Sequence, residues 1–408
     1  MKKRNVLLVN YHLQMGGSER LVLELAKGID KDRFEPSIAW FEGEIPSPGF
    51  RELGIPLYYV PKKKRFDYPA IRKMANILIN NRIDVVNAHH FMPFIYSSLA
   101  ALHKKDTRVI YTAHSIWEIE QLPWYWKFIG SRLFNNTTLA VGVDESISNS
   151  LRKTFHLTEK NCFTIRNGVD IRSFVTSMAD RNQVRRELGI NREDFVLGMV
   201  ANFRAVKNHL FLLEAFYSLA SKDERWKLVL VGQGFERDTD NTEPELRKYV
   251  ADKGLEKNVL FLGFRPDVGK LLGGMDIFCM TSIKEGLPIS ILEAMASGLP
   301  IIGTDVEGIN SVVEPNRNGF LAGLNKVDEF RKYIELLLVD EELRRRFGEA
   351  SRKIAFEKYS FDKCIAGYQE LFLAGENNGH AASSLMTYGT GALSIDRSSG
   401  RENPNRQR

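Results

Sequence analysis

Glu285 and Glu293 stand eight residues apart in the run EGLPISILEAMASG at 285–298. Pro288 suits a first helical turn and Gly298 a helix stop, with apolar Ile291, Leu292, Met295 and Ala296 between them. This spacing predicts Glu285 in a loop that ends a strand and Glu293 within the helix that follows. One carboxylate then faces a cleft from the loop, and the other from the first turns of the helix. Acidic residues are also favoured near helix N-termini for electrostatic reasons. That accounts for either glutamate alone, but not for the Gly-Leu-Pro and Leu-Glu-Ala-Met-Ala pattern around them. A second feature is Gly16-Gly17, which precedes a helix opening with Ser18-Glu19-Arg20. Paired glycines let backbone approach a ligand, and a helix N-terminus offers free N–H groups to an anion. A glycine turn capped by Ser18 explains the same residues structurally.

Other chemical groups carry less. Asp238 and Asp240 form a D-x-D, a metal-binding arrangement, but in the polar loop GFERDTDNTEPE rather than at the end of a buried strand. A solvated loop is the better reading, and no metal is expected. Cys162, Cys279 and Cys364 lie far apart without metal or redox spacing. Cys162 and Cys279 sit in apolar runs and read as reduced core thiols, which makes the cytoplasm the expected compartment.

The elements that must position these groups follow from the pattern. The 408 residues, 43% hydrophobic and 26% charged, are too many for one ordinary core and suit two soluble domains. No apolar run reaches the roughly 20 residues of a membrane-spanning helix. MKKRNVLLVN has basic residues before an apolar stretch, but the stretch is too short for a signal sequence and reads as a first buried strand. The net charge of +6 fits anionic partners such as sugar nucleotides or a phospholipid surface. No nucleic-acid motif accompanies it, and nucleic acid is not an expected partner.

Short apolar runs alternate with helix-period segments. In the first half they are 6–9, 38–41, 57–60, 84–88, 108–112 and 139–143; in the second, 195–200, 227–231, 259–262, 276–280 and 300–303. Continuous hydrophobicity marks strands covered on both faces, hence parallel sheets in a doubly wound α/β architecture. The pattern occurs twice, with a break near 167–194. Ligands of such sheets bind beyond the carboxyl ends of the strands, here in a cleft between two sheets.

With these motifs in place the chain resembles retaining glycosyltransferases of family 4. The run EGLPISILEAMASGLPIIGTD is similar to the family signature. QMGGSER, YTAHS, VDESISNSL, TIRNGVD, VANFRAVKNHLFLLEAF, LVLVGQGFE and VLFLGF match in order, over roughly 5–373. The resemblance implies a GT-B fold, two Rossmann-like domains facing a cleft. Residues 1–175 would bind acceptor and 176–352 the nucleotide sugar. A helix at 353–374 would pack back on the first domain, and 375–408 would be a disordered tail.

The resemblance also implies roles. Glu285 contacts the donor sugar nearest the reacting carbon, with Gly286 and Leu287 in the donor site, and Glu293 accepts from the ribose hydroxyls. Arg204 and Lys207 resemble the basic pair that binds the donor diphosphate, three residues apart here where many members have five. Gly16 and Gly17 receive diphosphate or acceptor groups. His114 matches a histidine near the donor sugar, whereas His89 and His90 have no such match. After Thr304-Asp305 the family's donor-touching loop carries a glutamate where this chain has Ser311. No cofactor is implied, only a UDP- or GDP-linked sugar as co-substrate.

The segment IWEIEQLPWYWKFIGSRLF concentrates Trp117, Trp124, Tyr125, Trp126 and Phe128 near Lys127 and Arg132, and 62–65 is Lys-Lys-Lys-Arg. Aromatics with basic flanks suit a helix on an anionic membrane surface; packing inside the first domain is the alternative. The activity expected is sugar transfer to a glycan or lipid-linked glycan of the cell surface. The alternatives are a sugar-nucleotide 2-epimerase of the same fold and a catalytically silent partner subunit.

Overall fold

The computed structural model describes residues 3–374 apart from residues 15, 44, 64–65, 135–137, 175–177 and 236–238. The expected boundary at 175/176, Asp238 and the 375–408 tail therefore lie outside the described residues.

Among the described residues the strands form two all-parallel sheets. The first comprises β1 (Arg4–Asn10), β2 (Phe34–Trp40), β3 (Leu57–Tyr59), β4 (Val85–His89), β5 (Arg108–Ala113), β6 (Thr138–Gly142) and β7 (Cys162–Thr164), in the order β3-β2-β1-β4-β5-β6-β7. The second comprises β8 (Phe195–Val200), β9 (Trp226–Val231), β10 (Val259–Phe261), β11 (Ile277–Met280), β12 (Ile301–Thr304) and β13 (Gly319–Ala322), in the order β10-β9-β8-β11-β12-β13. The central strands carry apolar stretches because helices cover both faces: Val6, Leu7, Leu8 and Val9 are fully buried, as are Ile277, Phe278 and Cys279. All three cysteines are buried free thiols.

In each sheet the winding reverses once. Val6 pairs with Pro36 of β2 on one side and with Val85 of β4 on the other. Phe278 of β11 likewise lies between Gly198 of β8 and Ile301 of β12. Loops leaving the carboxyl ends of β1 and β4, and of β8 and β11, diverge at these switch points and leave a crevice.

The chain crosses between the sheets twice, side by side. The Val169 N–H donates to the Tyr359 carbonyl at 2.8 Å, and the Phe361 N–H donates to the Val169 carbonyl at 3.0 Å. Helix Phe361–Leu373 then packs on the first sheet's domain. Arg4 donates to the Phe372 carbonyl at 2.8 Å, and the Asp30 N–H donates to the Gln369 side chain at 2.6 Å. The division expected at 353 falls inside helix Glu341–Lys358, which packs on helix Ile289–Ala296 of the second domain; the crossing comes after it.

Candidate active site

The second sheet contributes charge. Helix Ile289–Ala296 starts directly after Pro288, and Ile291, Leu292, Ala294, Met295 and Ala296 are all buried. A carboxylate inside so apolar a helix needs a partner. Glu293 finds it across the cleft in Arg20, whose Nη1 lies 3.1 Å from Oε1. Burial pushes the Glu293 carboxyl above its usual pKa, and Arg20 opposes that shift.

Glu285, in the loop after β11, is also nearly buried. Its Oε1 accepts from Lys207 Nζ at 2.6 Å and from the Ser282 hydroxyl at 2.6 Å. Lys207 stands at the end of a single helical turn, Ala205–Lys207, that follows β8. Two contacts pin this turn to the β11 loop. The Thr281 hydroxyl reaches the carbonyls of Lys207 and Asn208 at 3.1 Å each, and the Ile283 N–H donates to the Val206 carbonyl at 2.8 Å.

Glycine permits the close packing here. At Gly286 a Cβ would overlap the backbone carbonyl of His114, so the Glu285 loop touches the first domain directly. Gly308, at φ +88° in the loop after β12, packs against the carbonyls of Gly286 and Glu285. The Ser311 hydroxyl donates to the Gly308 carbonyl at 2.9 Å, so the serine that stands near the family's glutamate braces this turn. Leu287 is buried.

Arg204 is held elsewhere. Its Nε lies 3.0–3.1 Å from both carboxylate oxygens of Asp240 on an exposed edge, so of the expected basic pair only Lys207 meets Glu285. Asp240, half of the D-x-D, is thus an ion-pair partner of Arg204.

The first sheet contributes imidazoles. Gly16, rather than Ser18, occupies the N-cap of helix Gly17–Gly28, and Gly17 lies opposite Ile289 of the second domain. Buried Glu19 accepts from Asn10 at 3.2 Å and from Ser18 at 2.8 Å. His114, following β5, lies 2.9 Å (Nε2) from His89 Nδ1. His90, at φ 74°, directs Nε2 to Ser18 Oγ at 2.9 Å and Nδ1 to Glu118 at 3.2 Å.

His89 and His90, for which the sequence offered no support, therefore belong to the same cluster as His114. Burial, then the charge of His90, lowers the pKa of His89 to about 3. Burial likewise holds His114 well below the ordinary value, with both neighbouring histidines adding to the effect. Burial also acts against a charge on His90, but Glu118 and Glu19 outweigh it and raise its pKa. The cluster thus sets two rings whose charged form burial disfavours beside one whose charged form Glu118 and Glu19 favour. A cavity of about 220 Å³, lined by Arg20, Asn167, Asp170, Ile289 and Phe361, lies on the interdomain-linker side and touches neither Glu285 nor His114.

Known families match both halves of the chain. Residues 15–173 match the model described as Glycosyltransferase Family 4, and residues 180–354 match Glycosyl transferases group 1. The chain is 29% identical over 347 residues to the N-acetyl-alpha-D-glucosaminyl L-malate synthase of Bacillus anthracis, covering 82% of this chain and 87% of that one. It is 25% identical over 346 residues to the UDP-Gal:alpha-D-GlcNAc-diphosphoundecaprenol alpha-1,3-galactosyltransferase of Escherichia coli, covering 81% and 88%. The fold superposes on Anabaena HepE in complex with UDP with a TM-score of 0.80 at 22% identity, over 90% of this chain and 99% of that one.

Proposed function

Because this chain belongs to glycosyltransferase family 4, with both halves of the GT-B fold matched, we propose that it moves a sugar, with retention of configuration, from a UDP- or GDP-linked donor to a glycan or lipid-linked glycan in cell-surface polysaccharide synthesis. The observation that carries this reading is the Lys207–Glu285 contact at the second sheet's switch point, with Glu293 paired to Arg20 from the helix that follows and Gly286 closed against His114.

Glycosyl transfer builds positive charge on the sugar ring and negative charge on the departing diphosphate. A fixed cation aimed at the leaving group lowers that barrier. Lys207 supplies it without a metal, and the diphosphate competes with Glu285 for its ammonium. Glu285, released, faces the electron-poor anomeric carbon. Glu293 accepts from the ribose hydroxyls, and Gly16 and Gly17 let phosphate or acceptor oxygens approach the helix N-terminus. The same relatives support a nucleotide sugar as donor, since one carries UDP-Gal in its name and the Anabaena structure is a UDP complex.

The acceptor half is read as resting on an anionic membrane. Trp117, Trp124, Tyr125 and Phe128 are exposed, Trp124 at 78%, whereas Trp126 is buried and anchors helix Trp124–Leu133. Arg132 lies over the Phe128 ring, and Lys127 flanks it. No helix among the described residues is long and apolar enough to cross a membrane. Flotation with anionic vesicles tests this reading, and absence of binding removes it.

For the activity, a thermal-shift screen of sugar nucleotides identifies the donor, because a ligand that binds only the folded state raises Tm. Acceptor-dependent release of nucleoside diphosphate, with product anomers read by NMR, then follows. An inverted product contradicts retention, and turnover to an epimerised donor without acceptor points to the epimerase. Unchanged activity of Glu285→Ala in cells points to a silent partner.

A further inference from the structure

His89 ends β4 with its ring fully buried, one residue before the left-handed His90. It reaches no ligand-accessible surface, yet its Nδ1 lies 2.9 Å from Nε2 of His114, and the two rings stack at 5.2 Å. At that separation one nitrogen carries the shared proton and the other accepts it.

Two arrangements satisfy the pair. In one, His89 donates from Nδ1 and its Nε2 is a bare lone pair. In the other, His114 donates from Nε2, and His89 must carry its own proton on Nε2. That nitrogen is buried and has no hydrogen-bond partner among the described residues. Buried N–H groups without an acceptor are rarer and costlier than under-used acceptors. The first arrangement is therefore favoured, and it sends the His114 proton to Nδ1.

We propose that His89 is a positioning residue that fixes His114 as the Nδ1–H tautomer, leaving the partly buried ring to donate from Nδ1 to a hydroxyl of the bound donor sugar. This rests on the reading of His114 as the residue beside that sugar. Burial, with the neighbouring histidines adding to it, opposes a second proton on either ring. The cleft then presents a hydrogen-bond donor of constant character near neutral pH.

The test uses the full chain labelled with 15N-histidine, with the His114 resonances assigned by their loss in His114→Gln. The expected spectrum shows a protonated Nδ1 and a bare Nε2 on His114; the reverse pattern overturns the proposal. Kinetics add a second reading. His89→Asn places an amide donor where Nδ1 stood and holds kcat within about threefold, whereas His89→Leu lowers kcat about tenfold or more with a smaller change in KM. Equal losses in the two variants reduce His89 to a packing role and overturn the proposal. If His114→Gln transfers sugar normally, the reading of His114 fails while the tautomer measurement still stands on its own.

Discussion

The two rims of the cleft are built differently. On the second domain, charge is concentrated: Lys207, Ser282, Glu285 and Glu293 lie on one turn and one loop-helix unit flanking β8 and β11. On the first domain, the groups come from the ends of three strands, with Glu19 after β1, His89 and His90 at β4, and His114 and Glu118 after β5. The charged rim suits a diphosphate, whose recognition is electrostatic. The histidine rim, with two rings held neutral by burial, suits hydroxyls, which need directed hydrogen bonds. On the proposed function, one cleft would divide a nucleotide sugar between a compact electrostatic half and a dispersed hydrogen-bonding half.

That division can be broken at graded cost. The largest effect is expected from Lys207→Met, which removes the cation facing the leaving group and lowers kcat by about 10²–10³. A loss below tenfold would mean that the charged rim does not stabilise the departing diphosphate.

Next is Gly286→Ala, whose new Cβ meets the His114 carbonyl and forces the rims apart. Activity should fall together with a loss of about 2–3 kcal/mol in unfolding free energy. Normal activity and Tm would show that the contact is not needed.

Arg20→Gln acts through pH. Folding raises the pKa of Glu293, so the folded state holds that proton more tightly, and stability falls as pH rises from the ordinary carboxyl range through the raised value. Without Arg20 the pKa rises further, and the deficit is larger at pH 7 than at pH 5. It is about 1 kcal/mol, since Arg20 is 37% exposed and screened. Melting curves across pH check the sign, and a deficit that grows toward acid contradicts it. The smallest effect belongs to Lys284→Ala. Its partly exposed bridge to Glu120, 3.2 Å across the cleft, contributes at most about 0.5 kcal/mol to unfolding in low salt.

The same contrast explains what could be read in advance. The central strands were legible because helices on both faces impose unbroken apolar runs. β7, which ends on Thr164, and β13, which opens on Gly319, leave no such unbroken apolar run, whereas the equally short edge strands β3 and β10 are wholly apolar. Glu285, Glu293 and Lys207 were legible because each lies beside a recognisable strand end or helix start.

The histidine rim was harder. His90 meets Ser18 and Glu118 at sequence separations of 72 and 28, and His89 meets His114 at 25. No local pattern encodes such pairings. One signal was available: His89 and His90 directly follow the run at 84–88, a strand that the topology sets beside β1 at the switch point. Arg20 faced the same difficulty, being 273 residues from Glu293. Arg204 shows the converse, since local order placed it with Lys207 while Asp240 draws its guanidinium away.

The account stands most directly on one titration. Calorimetry with UDP and with GDP should show a single site for one of them on the wild-type chain. Binding should weaken at least about tenfold in Glu293→Gln, where two ribose hydroxyls lose a charged acceptor. Equal affinity in wild type and Glu293→Gln, or no binding of either nucleotide, would contradict the assignment of this cleft as the donor site.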